Sequence, residues 1–325
     1  MTIPGENELL LTCRPRADGV EILRCETADP AVRLPDEIGG KPVTALGPYA
    51  LSARPPVLHD ADSLFSVRVT WGGTPPVHDA RAIETVILPA GLRAIGRYAF
   101  YDCRALSAVT LPVTAREIAQ GAFMNCLAFR TVRLTGPADA PSGLEELLGQ
   151  TAGEVEIELD TPEGEGRLLF PAYHEELESL DAAHIFQRRI EGAGYAYRQC
   201  FTGGVLGFAQ YDDTIERLTR LHAYGDACRV ALLRLRWPLR LRPAARERYR
   251  ALLADHCADA LTVLLDGRDT AGLSFLLSLP DIIKSEAIDA ACAKARETGQ
   301  TEALALLLGR GRAALGAAGR KTYDL

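Results

Sequence analysis

The sequence predicts an α+β repeat protein: a solenoid of short parallel strands, then a small β-rich middle region, then a C-terminal α-helical array. Three observations carry this. Apolar columns recur every 23 residues between 83 and 135, apolar and acidic residues alternate over 154–159, and apolar spacing changes to three and four residues after Asp212. The repeat comes first, because a fixed period conditions every later inference.

Overlaying 83–106 on 106–129 puts Val86, Val109 and Val132 in one column and Leu88, Leu111 and Leu134 in another. Ile95 pairs with Ile118, Ala99 with Ala122, Phe100 with Phe123 and Cys103 with Cys126. The segments "TVILP", "AVTLP" and "TVRLT" read as short strands, and Pro89 and Pro112 lack the amide hydrogen that would extend two of them. A compact return segment carries the isoleucine and the Ala-Phe pair inward. No unit of this size buries its own apolar face, so successive units stack on a shared core.

An earlier, degenerate copy lies in "VRLPDEIGGKPVTALGPYAL", where "GPYAL" at 47–51 matches "GRYAF" at 96–100. The Pro- and Gly-rich stretch at about 52–82 is off-register and reads as an irregular insertion.

The recurring string "LP..(V/L)..IG..AF..C..L..V.LP" resembles the BspA-type leucine-rich repeats of bacteria over about residues 20–135. The resemblance implies a right-handed leucine-rich-repeat solenoid of short parallel strands, usually in proteins that bind other proteins, many of them secreted surface proteins. The expected first domain is therefore 1–135.

From Thr135 the repeat pattern stops, and 136–212 is read as an acidic, β-rich middle region. "EVEIELD" sets Val155, Ile157 and Leu159 against Glu154, Glu156 and Glu158, the alternation of a half-exposed strand. Twelve Asp or Glu and the single Arg167 fall between 143 and 181. Strand alternation sends the three glutamates to one solvated face, whereas cation sites need ligands converging from several directions.

The stretch 188–213 reads as two or three strands joined by the "TGG" turn at 202–204. Its aromatics, Tyr195, Tyr197, Phe201, Phe208 and Tyr211, read as core packing rather than as a stacking platform with Arg188, Arg189 and Arg198.

Helical spacing marks 213–316, with Pro243 at a helix start, Ser285 as a cap and Gly299 as a stop. "DTAGLSFLL" and "QTEALALLL" align at an offset of 31 residues. With its preceding small-residue helix, "TGQTEALALLLGRG" is similar to the ankyrin helix pair, at about 260–311. The last residues, 317–325, read as a flexible tail.

Net charge is −7 on 325 residues, which argues against a whole-chain field for nucleic acid or an anionic membrane. No secretory signal is visible, and no apolar run approaches the ~20 residues of a membrane-spanning helix. The expectation is a cytoplasmic protein. Its eight cysteines, at 13, 25, 103, 126, 200, 228, 257 and 292, contain no C-x-x-C and read as buried thiols. Stacking brings Cys103 and Cys126 within reach of a disulfide, yet they move with packing residues and read as a rung of the core.

No catalytic, metal or cofactor-binding residues emerge. G-x-S-x-G, H-E-x-x-H and phosphate-loop patterns are absent, and His256 with Cys257 and His222 with Cys228 lack facing geometry. The expected activity is non-catalytic protein–protein interaction or scaffolding, without cofactor and with an unidentified protein partner.

The candidate partner-binding face comprises the strand positions flanking the apolar columns: Glu84, Thr85, Ser107, Thr110, Arg130, Thr131 and Arg133. A candidate basic patch comprises Arg234, Arg236, Arg240, Arg242, Arg246 and Arg250, within eight arginines between 229 and 250. It is read as pairing with an acidic peptide or with the chain's own acidic segment. Two alternatives stand beside this: nucleic-acid binding through 229–250, or a secreted surface protein of the BspA type carrying a leader.

Overall fold

The computed structural model describes residues 2–4, 7–58, 63–70, 77–180 and 185–318. The chain divides into two units, Met1–Gly207 and Phe208–Leu325.

The first unit opens with β1 (Thr2–Pro4), β2 (Leu9–Arg16), β3 (Gly19–Glu26), β4 (Ala31–Arg33), β5 (Glu37–Ile38), β6 (Lys41–Leu46) and β7 (Phe65–Thr70). The repeats then supply β8 (Thr85–Ile87), β9 (Ala94–Ile95), β10 (Ala108–Pro112), β11 (Glu117–Ile118) and β12 (Thr131–Thr135). After them come α1 (Leu144–Gly149), β13 (Val155–Thr161), β14 (Gly164–Phe170), β15 (His174–Leu180), β16 (Ile185–Glu191), α2 (Gly194–Tyr197), β17 (Phe201–Thr202) and β18 (Val205–Leu206).

Two sheets form the walls of the solenoid. One has the order β14-β13-β12-β10-β8-β4, parallel except for the antiparallel edge strand β14. The other runs β1-β7-β2-β3-β6-β9-β11, with β5 paired to β6. Parallel pairing stacks equivalent residues of successive coils one strand spacing apart, ~4.8 Å. Val32, Val86, Val109, Val132 and Ile157 thus form one buried row. Each such side chain removed from water stabilises the fold by about 1.5–3 kcal/mol.

The sequence repeat ends at Thr135, but the ladder does not. Strand β13 pairs in register with β12, placing Ile157 beside Val132 and Leu159 beside Leu134. The middle region therefore begins as one more coil of the solenoid. Its return segment, containing α1, lengthens the period from 23 to 25 residues and hides the copy from a fixed-period overlay.

The stretch about 52–82 is not purely loop. Residues 59–62 and 71–76 lie outside the described residues, but between them β7 pairs antiparallel with β2 and parallel with β1. Alternating Val67 and Val69 are buried, which is why a strand forms there.

The 188–213 region is also corrected. The TGG turn joins the two-residue strands β17 and β18 as expected, but 194–197 is one helical turn and 208–213 is helical. Phe208, Tyr211, Ile215 and Leu218, all buried, keep three- and four-residue spacing and belong to a helical face.

The second unit contains α3 (Phe208–Asp213), α4 (Ile215–Arg220), α5 (Tyr224–Arg236), α6 (Pro243–Asp255), α7 (Cys257–Asp266), α8 (Thr270–Ser278), α9 (Ser285–Glu297) and α10 (Thr301–Ala318). Pro243 opens α6 from N1. Gly299, at φ 68°, ends α9 in the left-handed conformation that glycine adopts without a Cβ penalty. Ser285 is the first residue of α9 rather than its cap. Lys284 holds the cap position, and no side chain bonds to the free amides there. Helix α9 packs on both α7 and α10, and its small residues Ala291, Cys292 and Ala295 are buried. The tail expected at 317–325 lies outside the described residues from 319 onward.

Candidate protein-interaction surface

The copied cysteines are inter-coil hydrogen-bond donors. Cys103 Sγ donates to the carbonyl of Leu51 at 3.5 Å, and Cys126 Sγ donates to the carbonyl of Phe100 at 3.2 Å. Leu51 and Phe100 occupy the same repeat position, so each thiol reaches back to the preceding coil at the same place. The rings travel with them: Phe100 and Phe123 stack at 4.9 Å with planes 10° apart. Burial pushes both thiols above their ordinary pKa, that of Cys126 to about 12. All eight cysteines are free thiols.

On the other wall, the strands of the parallel ladder turn alternate residues outward. Thr85, Ala108, Thr131 and Glu156 align in one row, and Ile87, Thr110, Arg133 and Glu158 in the next. Just before each strand, Glu84, Ser107 and Arg130 form a third row. The Ser107 amide donates to the Glu84 carbonyl at 2.8 Å, and the Arg130 amide to Ser107 at 2.9 Å. Ser107 Oγ adds a bond to the Glu84 carbonyl at 3.0 Å. Of the seven positions named from sequence, Thr85, Thr110, Thr131 and Arg133 share the outer side of the ladder and Glu84, Ser107 and Arg130 sit just before its strands; all seven are half-buried or exposed, while Val86, Val109 and Val132 are buried.

Residues 78–140 match the family model described as BspA type Leucine rich repeat region (6 copies). This segment is a BspA-type leucine-rich repeat region. Among solved structures, the chain is similar to a leucine-rich repeat protein of T. pallidum, at 22% identity over 47% of this chain and 80% of that one, TM-score 0.21. It is also similar to a leucine-rich cell-surface protein from Faecalibacterium prausnitzii A2-165, at 16% identity over 46% and 41%, TM-score 0.26. No curated protein matches significantly in sequence.

Beyond the matched segment, the leucine-rich repeat's outer face continues onto β13 and β14 and becomes charged. Arg133 donates to Glu158 through Nε at 3.0 Å and Nη2 at 2.8 Å. Arg167, opposite Glu158 on β14, pairs with Glu156 and Glu158 at 3.0 Å each. The glutamates do face outward as alternation predicts, but two of them are tied down by arginines instead of standing free in water. Sequence reasoning placed these carboxylates in a separate region. The signal that joins them to the face is the pair Ile157 and Leu159, which continues the Val132 and Leu134 columns.

The arginines of 229–250 do not form a single surface. Arg234 is fully buried, its Nε 2.8 Å and Nη2 3.2 Å from the carboxylate of Asp212, with Nη1 on the Leu239 carbonyl at 3.1 Å. Tyr249 completes the site by donating to Asp212 Oδ1 at 2.9 Å. Burial, followed by the Asp212 charge, holds the Tyr249 phenol well above its ordinary pKa.

Arg236 pairs with Asp269 at 2.9 Å and Arg242 with Asp213 at 2.8 Å, as does Arg248 with Asp213 at 2.7 Å. Arg250 donates to the Pro280 carbonyl at 3.2 Å, Arg240 lies over the Phe208 ring, and Arg246 is exposed. Among the described residues, the carboxylates that pair with arginines of this run within the helical unit include Asp212, Asp213, Asp226 and Asp269. Asp212 and Asp213 lie in α3 and Asp269 caps α8, so they become partners of these arginines only after folding.

Arg198, considered for a stacking platform, is buried and donates to five carbonyls: Leu148, Thr151, Pro171, Gly194 and Gly153, at 2.6–3.2 Å. It ties the C-terminus of α1 to α2 and the end of β14. Burial lowers its pKa to about 10. The side chain of Arg188 lies outside the described residues. Tyr197, Phe201, Phe208 and Tyr211 are buried, and Tyr195 packs edge-on against Tyr173.

The His/Cys pairs are also apart in role. His256 stacks on Tyr224 at 3.8 Å while Cys257 is buried, and Cys228 donates to the His256 carbonyl at 3.6 Å. Among the described residues, no three His, Cys, Asp or Glu side chains converge on a common point suited to a metal, and no helix is long and apolar enough to cross a membrane.

Proposed function

We propose that this protein is a non-catalytic protein-interaction module, and that its partner docks on the outer face of the leucine-rich-repeat ladder. The observation that carries the reading is the register. Thr85 and Thr131, and Thr110 and Arg133, line up in rows on one accessible face over a row of buried valines, and Glu84, Ser107 and Arg130 form a row at its margin. A regular, pre-organised face loses little conformational entropy on binding, which favours recognition of another folded surface.

The helical unit, read as an ankyrin-like array, offers a second extended surface of the same kind. The division into 1–135, 136–212 and 213–316, with the ladder itself running on into β13, is part of this proposal. So is a cytoplasmic location, which eight thiols without a disulfide support.

The test is affinity purification of the full chain from its native cell, followed by mass spectrometry, with Thr85→Ala, Thr110→Ala and Arg133→Ala compared against the unsubstituted protein. The expected result is a reproducible protein partner that the variants lose at unchanged Tm. RNA as the co-purifying species, or a partner retained by all three variants, would sink the proposal.

A further inference from the structure

The third side of the solenoid, formed by the turns between the two sheets, carries an aromatic cluster that the ladder proposal does not use. Tyr49 and Tyr98 lie 5.2 Å apart at a 30° tilt, and Tyr101 meets both edge-on at 6.4 and 5.9 Å. All three are half-buried. Their hydroxyls make no hydrogen bond among the described residues.

Two of these tyrosines sit in an unfavourable backbone. Tyr49 has φ 60° and Tyr98 φ 58°, in the left-handed region that penalises a Cβ. The equivalent position in the next coil is Gly121, at φ 75°. The turn is therefore made there by the residue that fits it best, and the rings at 49 and 98 are kept against local preference. Strain retained beneath solvent-facing aromatic rings points to use rather than to folding.

The cluster continues into a groove. A Cβ on Gly121 would come within 2.5 Å of the Tyr98 ring, so the ring lies directly over it. Gly121 also borders a cavity of about 510 Å³ that passes Met124, Leu127 and Phe129 and reaches Val155. Met124 is 50% exposed and Leu127 66%. The groove lies where the return segment of the next coil, 136–155, carries α1 in place of the Ala-Phe pair. The Gln150 side chain reaches across, accepting from the Ala122 amide at 3.1 Å.

The chemistry of the rim selects the occupant. It offers flat aromatic faces, tyrosine hydroxyls as donors and an apolar trough. Two cationic side chains border it, Arg97 over the Tyr98 ring at 5.5 Å and Arg130 in the groove, and no carboxylate is among the residues lining the groove. A ligand rich in carbonyl acceptors, poor in donors, apolar and negatively charged at its ends matches each feature. A polyproline II segment is such a ligand, with solvated carbonyls, no amide hydrogen at proline and little entropy left to lose.

We propose that the Tyr49–Tyr98–Tyr101 cluster and the adjoining groove bind an extended proline-rich peptide flanked by acidic residues. Apart from Arg130, which borders both, this site is built from other residues than the ladder face, and it does not rest on that reading.

The experiment is calorimetric titration of the full chain with a synthetic oligoproline peptide carrying glutamates at both ends. Saturable binding is expected, weakened at least roughly tenfold in the double variant Tyr49→Gly and Tyr98→Gly. Because Gly121 already fills the equivalent position, that variant should keep its Tm to within about 5 °C. Thr110→Ala on the ladder should bind the peptide normally. The proposal is overturned by absence of binding, by equal affinity for a lysine-flanked oligoproline, or by binding that survives in the double variant. A collapse of Tm in that variant would show the rings to be packing, and oligosaccharide binding lost in the variant would assign the site to carbohydrate instead.

Discussion

Asp212 and Arg234, 22 residues apart in sequence, meet as a fully buried bidentate ion pair in the helical unit. Arg234 also donates to the Leu239 carbonyl, and Tyr249 donates to the same carboxylate, so further hydrogen bonds support the pair. Removing one partner leaves the other charge buried and alone. Arg234→Ala should destabilise the helical unit by about 3–5 kcal/mol, read from denaturant unfolding. Arg246→Ala, on the exposed side of the same run, should change stability by less than about 0.5 kcal/mol. Equal effects would contradict the buried position of Arg234.

The N-terminal edge of the parallel ladder is closed by a side chain. The Asn7 amide donates to the Ala31 carbonyl at 2.5 Å and accepts from the Arg33 amide at 2.7 Å, so it mimics the next strand along β4. An open strand edge invites pairing with another chain. Asn7→Ala should therefore make the protein self-associate as concentration rises, measured by light scattering after size exclusion. A variant that elutes like the parent at every concentration argues against this role.

His78 senses pH at the end of the insertion. Its Nδ1 accepts from the Thr27 amide at 3.4 Å and its Nε2 contacts the Ser52 carbonyl at 3.0 Å, which requires the neutral ring. Burial, then the charge of Arg24, lowers its pKa below the ordinary 6.5. The folded protein thus binds a proton less readily than the unfolded chain. The stability this group contributes is complete above pH 6.5 and is lost as pH falls below that value. Tm measured between pH 7.5 and 5 should drop more steeply in the parent than in His78→Gln, with parallel curves as the contrary outcome.

The cysteine rungs carry the opposite sign. Burial raises the pKa of Cys126 to about 12, and those of Cys13 and Cys25 likewise to about 12, above the ordinary 9.0. Stability from these protonated thiols is present below pH 9 and is lost as pH climbs from there toward 12. At neutral pH, a maleimide should label Cys103 and Cys126 only after denaturant is added, as mass spectrometry would reveal. Rapid labelling of Cys103 in the folded protein would contradict its position in the core.

The Cys103 and Cys126 columns were legible because each residue does the same job in successive coils, and a shared job imposes a shared period. Strand β13 was legible as a strand from its alternation, but its place in the ladder was not, since its coil inserts α1 and breaks the period while keeping the register. Nor was the strand β7 in the insertion, whose pairing partners Leu10 and Leu11 lie more than fifty residues upstream. Arg198 gave no sign of its role either, because its acceptors are backbone carbonyls, which every residue possesses.

What the sequence by itself determined is the local and the repeated: the 23-residue coil, its buried valine and leucine columns, the helical periodicity after Asp212 and the turns at Gly203 and Gly204. These follow from side-chain spacing, which the chain carries wherever it goes. Only the tertiary structure decided that Arg234 is buried while Arg246 is exposed, that Glu156 and Glu158 extend the ladder's outer face, and that Tyr49, Tyr98 and Tyr101 meet. Each of those outcomes depends on which distant groups share a neighbourhood, and that depends on how coils and helices stack rather than on any one segment's pattern.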